Sequence, residues 1–377
     1  MPEPFKNLFN PTLVGQMGEH LQRVGGSAFT RAKFEQVALQ GLEDLEMKAR
    51  SKQIVLGLKA ALPQDFSKAC AILVASLGPA GETENLDFSI SKDGIAGWAV
   101  NPIADYVASY GQDHFEESLA ALREMTMRHT SEFAVRPFLA KRPQECLLVM
   151  REWALDSNVH VRRLASEGSR PRLPWGIRLH QFDREPDPVL KLLETLKDDS
   201  AEYVRRSVAN SLNDIAKNHP DKVAAIARKW LRGADKNRTR MVRHACRTLI
   251  KDGHRETLQV FGYEPPEVEL IDIRLGKKSI QIGQSLDVEV SMRSSSKKNQ
   301  RLVLDYAIHF QKAGGKSSRK VFKWKNFELK AGEQLTLRKE HSFRVVTTRK
   351  YFQGRHVIEF LVNGESLKEV EFKLLKN

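Results

Sequence analysis

Residues 156–163 read Asp-Ser-Asn-Val-His-Val-Arg-Arg, and residues 199–206 read Asp-Ser-Ala-Glu-Tyr-Val-Arg-Arg. The two octapeptides stand 43 residues apart, and a weaker echo, Met241-Val242-Arg243, follows 38 residues after Val204. A period of about 40 residues is that of a helix-pair unit in HEAT-type solenoids. In such a unit the Asp lies in the turn between paired helices, and the Val-Arg opens the second helix, which lines the concave face. Stacking the units would bring Arg162, Arg163, Arg205, Arg206 and Arg243 along one side of the array. About half of them are expected to brace the turn aspartates of neighbouring repeats, leaving the rest for phosphate.

Working outward, the helical pattern extends to about Tyr263. Apolar residues recur at three and four, as in Phe115, Leu119, Leu122 and Met125, the spacing of one helix face. Pro143 and Pro220 sit where a first helical turn would begin. One long irregular stretch, GPAGETENLDFSISKDGIAG at residues 78–97, interrupts the array; a loop of that length is either functional or a plain surface excursion.

After Gly262-Tyr-Glu-Pro-Pro266 the period changes to two. Residues 268–275, 286–292, 302–310, 335–337 and 356–362 read as strands, separated by Gly283, Gly314-Gly315, Gly332 and the hairpin signal Asn363-Gly364. Seven or so short strands in about 110 residues predict an immunoglobulin-like sandwich. The expected organisation is therefore α then β: a HEAT-like solenoid over 1–263, a linker at 264–267 and a sandwich over 268–377.

The chain has 377 residues and a net charge of +14, of which the segment from Pro266 to Asn377 carries +10. That balance favours a polyanionic partner. In the sandwich, Lys297, Lys298, Arg319, Lys320, Lys323 and Lys325 fall near turns or edge strands, where lysine also blocks edge-to-edge pairing. Cys70, Cys146 and Cys246 are far apart and show no metal spacing, so they are expected in the core. Neither a signal peptide nor a membrane span is expected, which points to a reducing cytoplasm, and the chain is expected to act as a monomer.

Catalytic templates for a nucleotide-binding loop, a zinc protease or a serine hydrolase are missing, and neither metal nor cofactor is expected. What remains is carboxylate and aromatic chemistry on a basic surface. Glu167 lies four residues after Arg163, a spacing that also makes a plain helix-face ion pair. Glu132, in Thr130-Ser-Glu-Phe-Ala-Val-Arg136-Pro137, could equally cap a short helix. A carboxylate in a basic groove repels phosphate, so it makes sense where a positive charge must be stabilised. Trp175 closes the loop Arg170-Pro-Arg172-Leu-Pro174 and could stack on a nucleobase or sugar. Trp153 and Trp230 read as core.

The segments MTMRHTSEFAVRPFL (125–139) and VRRLASEGSRPRLPW (161–175) resemble the signatures of AlkC-type alkylpurine DNA glycosylases, of the HEAT-like-repeat superfamily that includes AlkD. FKNLFNPTLV near the N-terminus and WAVNPIADYVASYG (98–111) are also similar, so the likeness spans about residues 1–263. Some AlkC proteins carry a C-terminal immunoglobulin-like domain, in keeping with the change near Pro266. The AlkD branch has a tryptophan-rich segment with an aspartate where this chain has Ser131-Glu132, which favours the AlkC branch.

The resemblance implies a monofunctional glycosylase that excises cationic N3-methylated bases, 3-methyladenine and also 3-methylcytosine, from double-stranded DNA without base flipping. By the same resemblance Glu132, Glu167 and Trp175 face the lesion. Arg136, Arg162, Arg163, Arg170, Arg172, Arg205, Arg206 and Arg243, with the six sandwich cations, are expected to bind DNA. The alternative is a non-catalytic HEAT-repeat scaffold for DNA or an acidic protein; repeat, charge and domain order fit both.

Overall fold

The computed structural model describes residues 4–85, 92–346 and 349–376. Residues 86–91, inside the long irregular stretch, lie outside the described residues. The architecture is helical as far as Val260 and β from Val268 onward, so the expected order of solenoid and sandwich is observed. By packing, however, the chain divides into one unit of Met1–Asn218 with Ala234–Ala245 and a second of His219–Gly233 with Cys246–Asn377. The expected boundary at 264–267 marks the change of secondary structure; the packing division falls elsewhere.

In the first unit, the helix pair Pro143–Trp153 and Val159–Gly168 is followed by the pair Asp187–Leu196 and Glu202–Ile215, and Lys236–Ala245 packs on the last of these. The repeated Asp explains the turns. Asp156 accepts the backbone N–H of Asn158 (2.8 Å), and Asn158 caps the helix after it by accepting from His160 N–H (2.9 Å). Asp199 accepts likewise from Ala201 N–H (2.9 Å). Each turn carboxylate is then held by an arginine: Arg123 donates to Asp156 (2.6 Å) and Arg162 to Asp199 (2.6 Å). Phe115, Leu119, Leu122 and Met125 are all buried, and Trp153, Cys70 and Cys146 are buried as well; burial pushes both thiols up to about 12.

In the second unit the helices Pro220–Trp230, Arg247–Lys251 and Arg255–Val260 accompany eight strands: β1 (Val268–Leu275), β2 (Ser279–Gln281), β3 (Ser285–Ser294), β4 (Gln300–Gln311), β5 (Ser317–Leu329), β6 (Gln334–Ser342), β7 (Gly354–Val362) and β8 (Glu365–Leu375). One sheet has the order β1-β3-β6, the other β2-β8-β7-β4-β5. Among the described residues β2 runs parallel to its neighbour and the other pairs are antiparallel. Leu286, Val288, Val290 and Met292 of β3 alternate inward and meet Tyr306, Ile308, Ile358 and Phe360 from the other sheet, the sandwich pattern. β5 and β8 escape a simple hydrophobic reading because their alternate residues are charged.

The β7–β8 turn docks on the helical part of its own unit. Gly253 and Gly364 both have positive φ, and a Cβ on Gly253 would lie 2.5 Å from the Gly364 Cα. Any side chain here would push the two backbones apart. The adjoining Asn363 donates to the Glu264 carbonyl (2.6 Å), and the Arg301 guanidinium lies over the Tyr263 ring (5.4 Å).

Candidate active site

Consecutive residues of a helix point about 100° apart, so the two arginines of one repeat cannot do the same work. Arg162 turns to the inter-helix turn and is bound by Asp199. Arg163 faces the other way. Its Nη1 donates to Glu132 Oε2 (2.5 Å) and to Thr130 Oγ1 (3.0 Å), while its Nη2 stands 3.7 Å from Glu167 Oε1. The two candidate carboxylates are thus brought to one guanidinium. Neither is sealed in an apolar interior, although Glu132 is only 8 % and Glu167 only 5 % exposed.

The chain of charges continues beyond Glu167. Arg170 Nη1 donates to Glu167 Oε1 (2.6 Å) and Arg170 Nε to Asp214 Oδ2 (2.9 Å), and Ser207 Oγ donates to Glu167 Oε2 (2.6 Å). Buried carboxylates remain ionised only when charges and donors of this kind surround them. Burial opposes the charged form of Arg163, but Glu132, Tyr203 and Glu167 outweigh it and its pKa is raised. The same balance, with Glu167 and Asp214 as the counterions, raises Arg170.

Trp175 sits on the loop after this helix, 78 % exposed and with φ at +66°. A tryptophan there is strained backbone, a feature that concentrates at functional sites. The loop is held from below by Arg136, which is fully buried. Arg136 donates to the carbonyls of Gly168 (2.8 Å), Arg170 (2.8 Å) and Ile177 (2.7 Å). Burial, then the charge of Arg170, pulls its pKa down to about 10. From outside, Lys48 Nζ donates to the Trp175 carbonyl (2.9 Å).

Several of the residues expected to bind DNA already hold partners within the chain. Arg136 is a buried loop brace and cannot reach a phosphate. Arg162 is bound to Asp199, and Arg205 donates to the Asp199 and Ser200 carbonyls (2.5 and 2.7 Å). Arg163 and Arg170 are committed to the carboxylates, and Arg172 to Asp183 and Asn218. In the sandwich, Arg319 donates to Glu359 (2.7 Å) and Lys323 to Asp305 (2.8 Å). Arg206, Arg243, Lys297, Lys298, Lys320 and Lys325 are exposed, as are Arg319 and Lys323 beside their carboxylates. Arg206 lines a cleft of about 440 Å³ between the helices Glu202–Ile215 and Lys236–Ala245, with Arg205, Arg240, His244 and Glu202.

Sequence reading missed Tyr203, Ser207 and Asp214. A signal for Tyr203 exists: it holds the repeat position of His160, and the two rings meet edge to face at 5.7 Å. Part of the irregular stretch also belongs here. Thr83 O lies 2.7 Å from His160 Nε2, Gly81 O accepts from Asn158 Nδ2 (2.8 Å), and Glu84 Oε2 accepts from Tyr203 N–H (3.2 Å). In the signature near the N-terminus Phe9 is buried and Phe5 exposed, both meeting Trp98 edge-on, and Trp98 lies 4.9 Å from His129.

The model of the DNA alkylation repair enzyme family matches residues 111–257, and that of the C-terminal Ig-like domain of the uncharacterised protein YhaZ matches residues 269–376. Over 98% of this chain and 99% of its own length, the uncharacterised protein YhaZ of Bacillus subtilis (strain 168) is 36% identical. The alkylpurine DNA glycosylase AlkC of Pseudomonas fluorescens, solved bound to DNA containing an abasic site analog, is 37% identical. It superposes with a TM-score of 0.85 over 99% of this chain and 100% of its own. The chain belongs to the AlkC family of DNA alkylation repair glycosylases. In this AlkC-family chain, the charged network from Glu132 to Asp214 lies wholly within the span matched by the alkylation repair model.

Proposed function

We propose that this chain binds double-stranded DNA and hydrolyses the N-glycosidic bond of cationic N3-methylated bases, 3-methyladenine and 3-methylcytosine. The observation that carries this reading is the approach of Glu132 (2.5 Å) and Glu167 (3.7 Å) to the single guanidinium of Arg163, on the helix whose exit loop exposes Trp175.

A methylated base already bears a positive charge. When the bond to C1′ breaks, both electrons pass to the base, which leaves neutral, so little acid catalysis is needed. The positive charge is transferred to the sugar as an oxocarbenium-like centre. Two fixed carboxylates in a poorly solvated site stabilise that centre far better than water does. One of them orients a water whose oxygen adds to C1′ and takes up its proton. Trp175 packs on the deoxyribose or base and excludes solvent. The lesion is read without being extruded into a pocket, unlike the usual extrusion of a target base. Chemistry of this kind needs neither a lysine nucleophile nor a cofactor, so the enzyme is monofunctional. Arg206, Arg240 and His244 along their cleft, and the exposed sandwich lysines, carry the phosphate contacts.

The test is release of free base from methylated duplex DNA. Wild-type protein should liberate 3-methyladenine, and Glu132→Gln with Glu167→Gln should slow release by on the order of 100-fold or more, the scale of losing preorganised electrostatic groups. Release at the wild-type rate by the double variant would remove the assigned chemistry.

A further inference from the structure

Arg163 is a long flexible side chain beside two carboxylates, and Coulomb attraction alone would pull it onto both. Its contact with Glu132 is a hydrogen bond of 2.5 Å, but its approach to Glu167 stops at 3.7 Å, beyond hydrogen-bond range. Something else holds the guanidinium back. Its central carbon lies 4.9 Å from the centroid of the Tyr203 ring, a cation–π arrangement. Tyr203 is anchored in turn: its N–H is bound by Glu84 and its ring meets His160, which Thr83 holds from the other side.

We propose that Tyr203 is a positioning residue, whose ring is the platform that keeps Arg163 between Glu132 and Glu167 and off the Glu167 carboxylate. This rests on the glycosylase reading above and adds a part to it. With the platform present, Glu167 Oε1 keeps Arg170 and Oε2 keeps Ser207 as close donors, and Arg163 adds no second hydrogen bond to Oε1. Without it, the guanidinium closes on Glu167 and neutralises the charge that the sugar must meet. The proposal assigns the positioning to the ring face, over which the guanidinium lies. Burial raises the Tyr203 pKa, and Glu132 and Glu167 push the same way against Arg163.

The experiment uses the full-length protein and single-turnover release of 3-methyladenine from methylated duplex, with DNA affinity and thermal unfolding measured alongside. Tyr203→Leu is expected to slow excision by about 10- to 100-fold, the scale of a small misplacement of a catalytic group. Its Kd for DNA should stay within about 2-fold, because the lost interaction belongs to the chemical step. Tyr203→Phe should recover the rate to within about 3-fold of wild type, since the ring supplies the cation–π face. Should the leucine variant fail to fold, Tyr203→Met takes its place with the same expectation. A double variant with Arg163→Gln should be no slower than the slower single, as coupled residues behave. A Tyr203→Leu or Tyr203→Met enzyme as fast as wild type, a Tyr203→Phe enzyme as slow as the leucine variant, or additive losses in the double variant would each overturn the inference. Failure of the wild-type protein to release any base would instead overturn the glycosylase reading itself.

Discussion

Arg136→Met separates a buried brace from a phosphate ligand. The wild-type guanidinium satisfies the carbonyls of Gly168, Arg170 and Ile177 in a site with no solvent exposure. Methionine keeps much of the volume but offers no donor. An unsatisfied buried acceptor costs about 1–3 kcal/mol, and three of them give an upper range that the loop can lower by moving its carbonyls out to water. Deleting one partner of a buried charged network costs about 3–5 kcal/mol, so a loss near 4 kcal/mol is expected. Urea unfolding followed by circular dichroism measures it, and the melting temperature should fall by about 10 °C on the usual scale for a domain of this size. Excision should fall too, because the loop presenting Trp175 loses its floor. The slope of DNA affinity against salt should not change. A variant within about 1 kcal/mol of wild type whose salt slope has dropped by about 0.9, one phosphate contact, would refute the argument.

Trp175→Gly should leave stability unchanged or raise it by up to about 1 kcal/mol, because glycine adopts the positive φ without strain, while excision falls; a stable, fully active glycine variant would count against a role for the indole. His129 is held down to about 4, chiefly by burial. The unfolded chain binds this proton first, near pH 6.5, so its contribution to stability is present above pH 6.5 and is lost as pH falls toward 4. The loss is at most about 3 kcal/mol, and His129→Leu should flatten that part of the urea-midpoint against pH curve. Arg206→Gln with Arg240→Gln should lower the salt slope of DNA binding by about 1.8, with little change in urea midpoint because both side chains are exposed and only loosely paired to Glu202.

The repeat was legible because its signal is local. Asp156 and Asp199 cap the turns that follow them, and those bonds span only two residues. Alternation in β3 was legible for the same reason, whereas β5 and β8, where charges alternate, could not be told from loops. Glu132 and Glu167 stood out as lone carboxylates among arginines, and their convergence on Arg163 follows from a helical array. The arginines themselves were not legible. Arg162 and Arg163 are neighbours with opposite tasks, and only the helix azimuth separates them. Arg136 looks like any surface cation until the loop 168–177 is folded over it. Asp214 enters the network through Arg170 from 44 residues away, and no pattern within one repeat marks that pairing.

The backbone contact between Gly253 and Gly364 bears on how this gene can be cut. A fragment starting at the first strand would leave the β7–β8 turn without its glycine counterpart and Arg301 without Tyr263. Starting earlier does not solve the problem, since the chain crosses from one packing unit to the other three times, after Asn218, Gly233 and Ala245. A single cut at any of these crossings therefore leaves at least one piece that mixes residues of the two packing units.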